Sequence, residues 1–339
     1  MPKPRKALVS LEATPYYHCV SRCVRRAFLC GTDPITGRSY EHRRGWIEQR
    51  LLALSRSFSI NLCAYAVMHN HTHVVIHIDA LRAASWSQQE VIERWHELFS
   101  GTLLSQRFLD QDPLSQEERE HVKTLVETWR ERLQSVSWFM RCLNETIARQ
   151  ANAEDDCTGR FWEGRFKCQA LLDEAALAAC MAYVDLNPVR AGIADTPESS
   201  NYTSIQRRIQ FAQNLQSSRA CTMEDSDMAS QPPTLHPFVG YPREPMPTGL
   251  PFRLEDYLEL VDWTGRVIRD HNQGAIPSDL PPILDRLQTD PQSWLKMTTS
   301  FEYQFKSLVG HIDHIYAACE KLGKRWAHGI SSCRQLLTT

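Results

Sequence analysis

The alternation of apolar and polar positions divides the chain into elements. Residues 15–24, Pro-Tyr-Tyr-His-Cys-Val-Ser-Arg-Cys-Val, are aromatic and β-branched enough to predict a first strand. Trp46, Ile47, Leu51, Leu54 and Phe58 then recur at helical spacing, predicting a helix over 43–57. Residues 59–67 and 71–79 read as two further strands, with His69 and Asn70 suited to a tight hairpin connection. Residues 82–135 are polar and helically patterned, with no β-rich run. Asp112-Pro113 interrupts them and Ser115-Gln-Glu-Glu supplies a helix start. This stretch reads as a helical insertion. A helix over 136–151 follows, burying Trp138, Phe139, Cys142, Leu143, Ile147 and Ala148, then a turn, a strand over 166–172 and a helix over 174–186. Without the insertion the order is β-α-β-β-α-β and a further helix. That order predicts an α+β fold, a ferredoxin-like split βαβ antiparallel sheet with helices on one face.

Composition shifts after residue 210. From 211 to 252 polar residues give way to Pro232, Pro233, Pro237, Pro242, Pro245, Pro247 and Pro251, the signature of an extended linker. Helical patterning returns over 253–339, first at Leu254, Tyr257, Leu258 and Val261 and later at Phe301, Phe305, Leu308, Val309 and Ile312. The expected organisation is therefore a domain at 1–210 carrying the 82–135 insertion, a linker, and a small helical C-terminal domain. A chain of 339 residues has room for about two domains at roughly 100–200 residues each.

Charge and cysteine usage narrow the class. No apolar run approaches the ~18 residues of a membrane span, and no apolar stretch follows the basic start as in a secretory signal. A soluble, cytoplasmic protein is expected. The eleven cysteines are scattered and never form Cys-x-x-Cys, so reduced, mostly buried thiols are expected rather than a zinc ribbon or disulfide scaffold. Net charge is only −2, but residues 1–60 carry 11 Lys/Arg against 4 Asp/Glu, so the rest sums to −9. Lys3, Arg5, Lys6, Arg22, Arg25, Arg26, Arg43 and Arg44 belong to that excess. It fits either a phosphate-contacting face or a solvated surface.

The chemistry concentrates in two places. Four of the 13 histidines, His69, His71, His73 and His77, fall within nine residues, all odd-numbered and so able to share one strand face. Two imidazoles at i and i+2 can grip one divalent metal such as Mn, Fe or Zn. Downstream, Tyr183 and Asn187 stand four apart, on one face if the helix continues, and Pro188 disfavours helical geometry at Asn187. An amide oxygen there could complete a metal shell beside a tyrosine hydroxyl. On spacing alone, a tyrosine on an amphipathic helix is far more often a packing residue than a nucleophile.

Three blocks resemble one family. Met68-His-Asn-His-Thr-His-Val-Val-Ile76 is similar to the Met-Pro-Asn-His-x-His-apolar block of HUH single-tyrosine transposases, in the branch of REP-associated tyrosine transposases and their insertion-sequence relatives. Gly159-Arg-Phe-Trp-Glu-Gly-Arg-Phe-Lys167 resembles that branch's Gly-x-x-Trp-x-x-Arg-Phe-Lys block, and Tyr183-Val-Asp-Leu-Asn-Pro-Val-Arg-Ala-Gly192 its Tyr-x-x-x-Asn-Pro-Val-Arg-Ala-Gly block. The resemblance spans about residues 10–205 outside the insertion. It departs from the family at His69, where proline is usual, and at Thr72, where an apolar residue is usual. His69 therefore competes as a ligand, while Val74-Val75-Ile76 registers the motif on His71 and His73.

The resemblance implies His71, His73 and Asn187 as ligands of Mg²⁺ or Mn²⁺ and Tyr183 as nucleophile. It implies cleavage and rejoining of single-stranded, hairpin-bearing DNA through a 5′-phosphotyrosine, and leaves open whether one chain or a homodimer acts. Bases would stack on aromatics and phosphates would meet basic groups, making Arg22, Arg25, Arg26, Phe161, Trp162, Arg165, Lys167 and Arg190 candidates for DNA contact. Two rival readings are a DNA-binding regulator that keeps a vestigial site, and an unrelated His-x-His metallohydrolase using His77 or Asp79.

Overall fold

The computed structural model describes residues 8–24, 29–218, 231–240, 248–269 and 281–337. Arg25 and Arg26 lie outside them, as do Lys3, Arg5, Lys6, residues 219–230 and 241–247 of the expected linker, and 270–280. The fold is mixed α and β, and the chain forms two compact units, one of residues 1–45, 62–77 and 160–339, the other of 46–61 and 78–159.

The first unit is organised by a five-stranded sheet. In chain order its strands are β1 (Tyr16–Arg22), β2 (Ile60–Val67), β3 (His71–Ile78), β4 (Lys167–Leu171) and β5 (Leu308–Val309). Their spatial order is β2-β3-β1-β4-β5. β1 runs antiparallel to both β3 and β4, while β5 is parallel to β4. Strand register decides which side chains meet: Val20 lies opposite His73, Arg22 opposite His71, and His18 opposite Gln169. Because side chains alternate along each strand, this sets His18, His71, His73 and Gln169 on one face, while Cys19, Val74, Ile76, Cys168 and Ala170 fill the other.

A helix, α7 (Glu174–Asp185), packs against β4 and against α12 (Pro291–Gln304). Asp173 caps α7 by accepting from the backbone N–H of Ala176, satisfying one of the free donors of its first turn. Every residue from Ala176 to Asp185 is buried, so α7 is apolar all round rather than amphipathic, as a helix enclosed by protein should be. It ends at Asp185. Pro188 then sits in the first turn of a separate short helix, α8 (Asn187–Arg190), where its missing N–H has no intrahelical partner to lose.

Segments expected to lie apart from this domain are built into it. Phe238, Leu250 and Phe252 of the Pro-rich stretch are buried, Phe238 bridges to Leu250, and His236 donates its N–H to the carbonyl of Leu62. Three helices, α9 (Ser204–Ser218), α10 (Leu254–Arg269) and α11 (Ile283–Arg286), lie between α8 and α12 in the chain, and residues 281–337 contribute β5 and α12 to the first unit instead of forming a separate C-terminal domain. Proline kept these stretches out of regular pairing without keeping their apolar side chains out of the core. The junction is fastened at Asp185, which is fully buried and accepts from Ser204 Oγ (2.5 Å), the Ile205 N–H (3.1 Å) and Tyr257 Oη (2.7 Å).

Asp185 yields a stability prediction. Burial raises its carboxyl from 3.8 to about 6, against the opposing effect of the Ser204 and Tyr257 hydrogen bonds. The folded chain thus keeps a proton that the unfolded chain has already released. The associated stability is fully present below about pH 3.8 and is lost as pH rises through about 6. Urea midpoints of the parent chain should fall over this window relative to those of Asp185→Asn, which lacks the titration. Asp185→Ala should lose roughly 3 kcal/mol or more at any pH, since three buried donors lose their acceptor.

The second unit is helical. It contains most of α1 (His42–Ser57), with α2 (Ala80–Ser85), α3 (Gln88–His96), α4 (Leu103–Leu109), α5 (Gln116–Leu133) and α6 (Val136–Glu154). Ser115 and Glu118 form a reciprocal capping box at the start of α5, as the sequence there predicts, and Ser87 and Glu90 do the same for α3. Trp95 stacks on Trp129 at 5.1 Å and Phe58 meets Phe139 edge-on at 5.4 Å, around buried Val122, Val126 and Leu133. None of the ten cysteines among the described residues is in a disulfide, and nine are buried. No helix among the described residues is long and apolar enough to cross a membrane.

Candidate functional site

The sheet face under α7 and α12 gathers the expected residues. His71 and His73 point from β3 to this side, and ring centroids lie 4.7 Å apart. Tyr183 on α7 stands edge-on to His73 at 5.5 Å, while Phe301 on α12 packs on Tyr183 at 5.7 Å and on His18 at 6.0 Å. Tyr183 is only 4% exposed. Arg190, delivered by α8, lies over the Tyr183 ring with its guanidinium carbon 4.2 Å from the centroid, a cation–π arrangement. It also donates to Asn187 Oδ1 (2.8 Å) and to the carbonyl of Thr298 (2.9 Å), which fixes the guanidinium from two sides.

Both histidines are held neutral. Burial, followed by repulsion from Arg22, lowers His71 to about 4. Burial and the neighbouring His18 and His71 push His73 far below the ordinary 6.5. A neutral imidazole can offer a lone pair to a cation without first shedding a proton. His71 Nδ1 lies 2.6 Å from Asn70 Oδ1, and since that oxygen can only accept, the ring proton sits on Nδ1 and leaves Nε2 as the acceptor. Nε2 of His73 is buried with no hydrogen-bond partner. A lone pair buried in this way suits a metal ligand and is costly otherwise.

A third donor comes from a distant part of the chain. Ligand atoms of His71, His73 and Glu302 lie within 4.8 Å of one another, a set of two imidazoles and a carboxylate able to hold a divalent ion. Glu302 sits on α12, in the segment whose helical patterning predicts a separate domain. Nothing local marks it, because a single glutamate on a polar helix face carries no motif. Asn187, the expected third ligand, is buried with Oδ1 occupied by Arg190 and Nδ2 unpartnered. In that orientation it presents a donor rather than a ligand oxygen. His69 is exposed in the β2–β3 connection and lies outside the donor set, while His77 stacks on His236 at 4.5 Å.

Tyr183 has the opposite electrostatic problem. Burial raises its hydroxyl to about 12; Arg190 acts to lower it and Glu302 to raise it. The hydroxyl is therefore protonated at neutral pH, and Arg190 is the nearby group that favours its ionisation.

The candidates for DNA contact divide. Arg22 ends β1 directly opposite His71. Lys167 is 73% exposed with Nζ 3.5 Å from a Glu302 oxygen. Arg165 is exposed and Trp162 half-buried, its backbone bridging Cys23. Phe161 is buried and packs edge-on against Trp162 at 5.0 Å, so its ring is a core element. Arg190 is committed to Tyr183, Asn187 and Thr298.

No family model and no curated protein matches the chain. Among solved structures, that of a REP-associated tyrosine transposase bound to a REP hairpin is similar over 62% of this chain and 86% of that one, at 11% identity and a TM-score of 0.37. A likeness that distant assigns nothing by itself.

Proposed function

We propose that this chain is a single-tyrosine HUH-type DNA strand transferase, in which Tyr183 attacks a DNA phosphodiester beside a divalent ion held by His71, His73 and Glu302. The observation that carries the proposal is the placement of Tyr183 against His73 and beneath Arg190, next to a lone pair that has no other partner. The three sequence blocks support it. The strand order β2-β3-β1-β4 also suits a ferredoxin-like sheet, with β5 added at its edge.

The bound ion, Mg²⁺ or Mn²⁺, would polarise a non-bridging phosphate oxygen, and imidazole ligands favour Mn²⁺. The remaining work belongs to the chain. Neutral His71 and His73 keep the ligand pair available at physiological pH. Arg190 stabilises the developing phenolate, and the unpartnered Nδ2 of Asn187 offers a donor to a phosphate oxygen. Tyr183 Oη forms a bond to phosphorus, the bond from phosphorus to the 3′-oxygen breaks, and the hydroxyl proton ends on that leaving oxygen. The ester conserves bond energy, so a second 3′-hydroxyl can reverse the step, returning a proton to Tyr183 and rejoining strands without ATP. Arg22, Trp162, Arg165 and Lys167 are the proposed contacts to single-stranded DNA, joined by Arg25 and Arg26.

The depth of Tyr183 favours one alternative, a DNA-binding protein that does not cleave, because a nucleophile 4% exposed must be uncovered to reach a phosphate. One experiment separates the readings. Purified protein is incubated with a panel of labelled single-stranded hairpin DNAs and Mn²⁺, then denatured. A covalent protein–DNA adduct that requires the metal and is lost with chelator is expected. Hairpin binding without adduct across the panel would favour the alternative.

A further inference from the structure

His18 and Gln169 have no role in the proposed reaction, yet they form a continuous buried chain to His73. Gln169 Nε2 donates to the backbone carbonyl of Phe305 at 3.0 Å. A carbonyl only accepts, so this contact fixes which end of the amide is nitrogen and turns Oε1 toward His18. His18 Nδ1 lies 2.7 Å from that oxygen, and its Nε2 lies 3.0 Å from His73 Nδ1. His18 is fully enclosed, and the ring partners it meets, an amide oxygen and a second imidazole, bring no compensating charge, so the uncharged ring is the form that fits there. With one proton to place, His18 must put it on Nδ1 to meet Oε1, which leaves its Nε2 as an acceptor. His73 must then donate from Nδ1, and its own Nε2 is left unprotonated. That atom is the buried nitrogen without a hydrogen-bond partner, on a ring grouped within 4.8 Å of ligand atoms of Glu302 and His71.

We infer that Gln169 and His18 form a tautomer relay across β4, β1 and β3 that holds His73 with its Nε2 lone pair presented to a divalent cation. The inference rests on the metal reading of His71 and His73, and it assigns Gln169 and His18 as positioning residues. The reverse tautomer would bury an N–H at Nε2 with nothing to receive it and set two lone pairs against each other between His18 and His73. Both consequences are unfavourable in a dry site. Residues that orient metal-bound imidazoles in this way typically change metal affinity about 10–100-fold when removed. The register provides the alignment, since His18 lies directly opposite Gln169 on β4 and two residues from Val20, the partner of His73.

The first test needs no variant. Nitrogen-15 NMR of histidine-labelled, metal-free full-length protein should show His73 protonated at Nδ1 and bare at Nε2; the opposite tautomer would overturn the relay. The second measures Mn²⁺ affinity by calorimetry. Gln169→Met, similar in size but unable to accept from His18, should bind Mn²⁺ about 10–100-fold more weakly. A folded Gln169→Met that binds Mn²⁺ like the parent overturns the inference, as does a parent chain that binds no Mn²⁺. If Gln169→Met does not fold, the tautomer in the parent chain decides. Mn²⁺ binding with the expected tautomer but no DNA adduct would sink the strand-transfer reading and leave the relay standing.

Discussion

Tyr183→Phe is expected to abolish covalent attachment to DNA, with strand cleavage falling on the order of 10⁴-fold or more, as for loss of a catalytic nucleophile. The substitution removes one oxygen and leaves the ring, so the contacts to His73, Phe301 and the Arg190 guanidinium are retained. The thermal midpoint should therefore stay close to that of the parent, and hairpin binding and Mn²⁺ affinity should change little. Such a separation of chemistry from binding identifies a nucleophile. A cleavage rate that survives the substitution would move the attacking group elsewhere.

The second large effect concerns metal. Saturating Mn²⁺, at about 100 times its dissociation constant, should stabilise the parent chain by about 2.7 kcal/mol through mass action. His73→Ala should erase that response and weaken binding by more than the roughly 100-fold that outer-shell changes reach. The variant should also be less stable without metal, because His18 Nε2 loses its donor and a buried cavity is left. Glu302→Gln should reduce the stabilisation, while His69→Ala should preserve it. Thermal melts with Mn²⁺ or chelator check all three. A response that disappears in His69→Ala and persists in His73→Ala would shift the ligand register by one strand residue pair.

Much of this site was legible in the sequence because its parts lie in segments of strong local periodicity. β1, β2, β3, β4, α1, α6 and α7 all fall within a few residues of where apolar spacing predicts them. Strand parity placed His71 and His73 on a common face, and the Tyr183 block fell on the helix above it. Three features were not legible, each for a different reason. Glu302 reaches the site only through the packing of α12 on α7, a contact more than a hundred residues apart in sequence with no pattern to announce it. His18 is an ordinary strand residue until the register sets it opposite Gln169 and within reach of His73. β5 is two residues long, too short to carry alternation, so the docking of the C-terminal segment onto β4 left no trace in the polarity pattern.

Asn187 shows how a local break changes a residue's chemistry. Its spacing from Tyr183 is right for a shared helical face, but the chain leaves α7 at Asp185 and re-enters a helix at Asn187. That step brings Arg190 back to Asn187 Oδ1. The amide thus becomes a brace for the guanidinium that lies over Tyr183, and in the proposed site the Glu302 carboxylate takes the ligand place expected of it.

The most direct test of the central claim is to map the covalent bond. Protein trapped on a single-stranded hairpin substrate with Mn²⁺ is digested with protease and nuclease, and the nucleotide-bearing peptide is sequenced by tandem mass spectrometry. The account predicts a 5′-linked nucleotide on the phenolic oxygen of Tyr183 and on no other residue. A nucleotide on a different tyrosine, serine or histidine, or cleaved DNA with no protein-linked product, would contradict it.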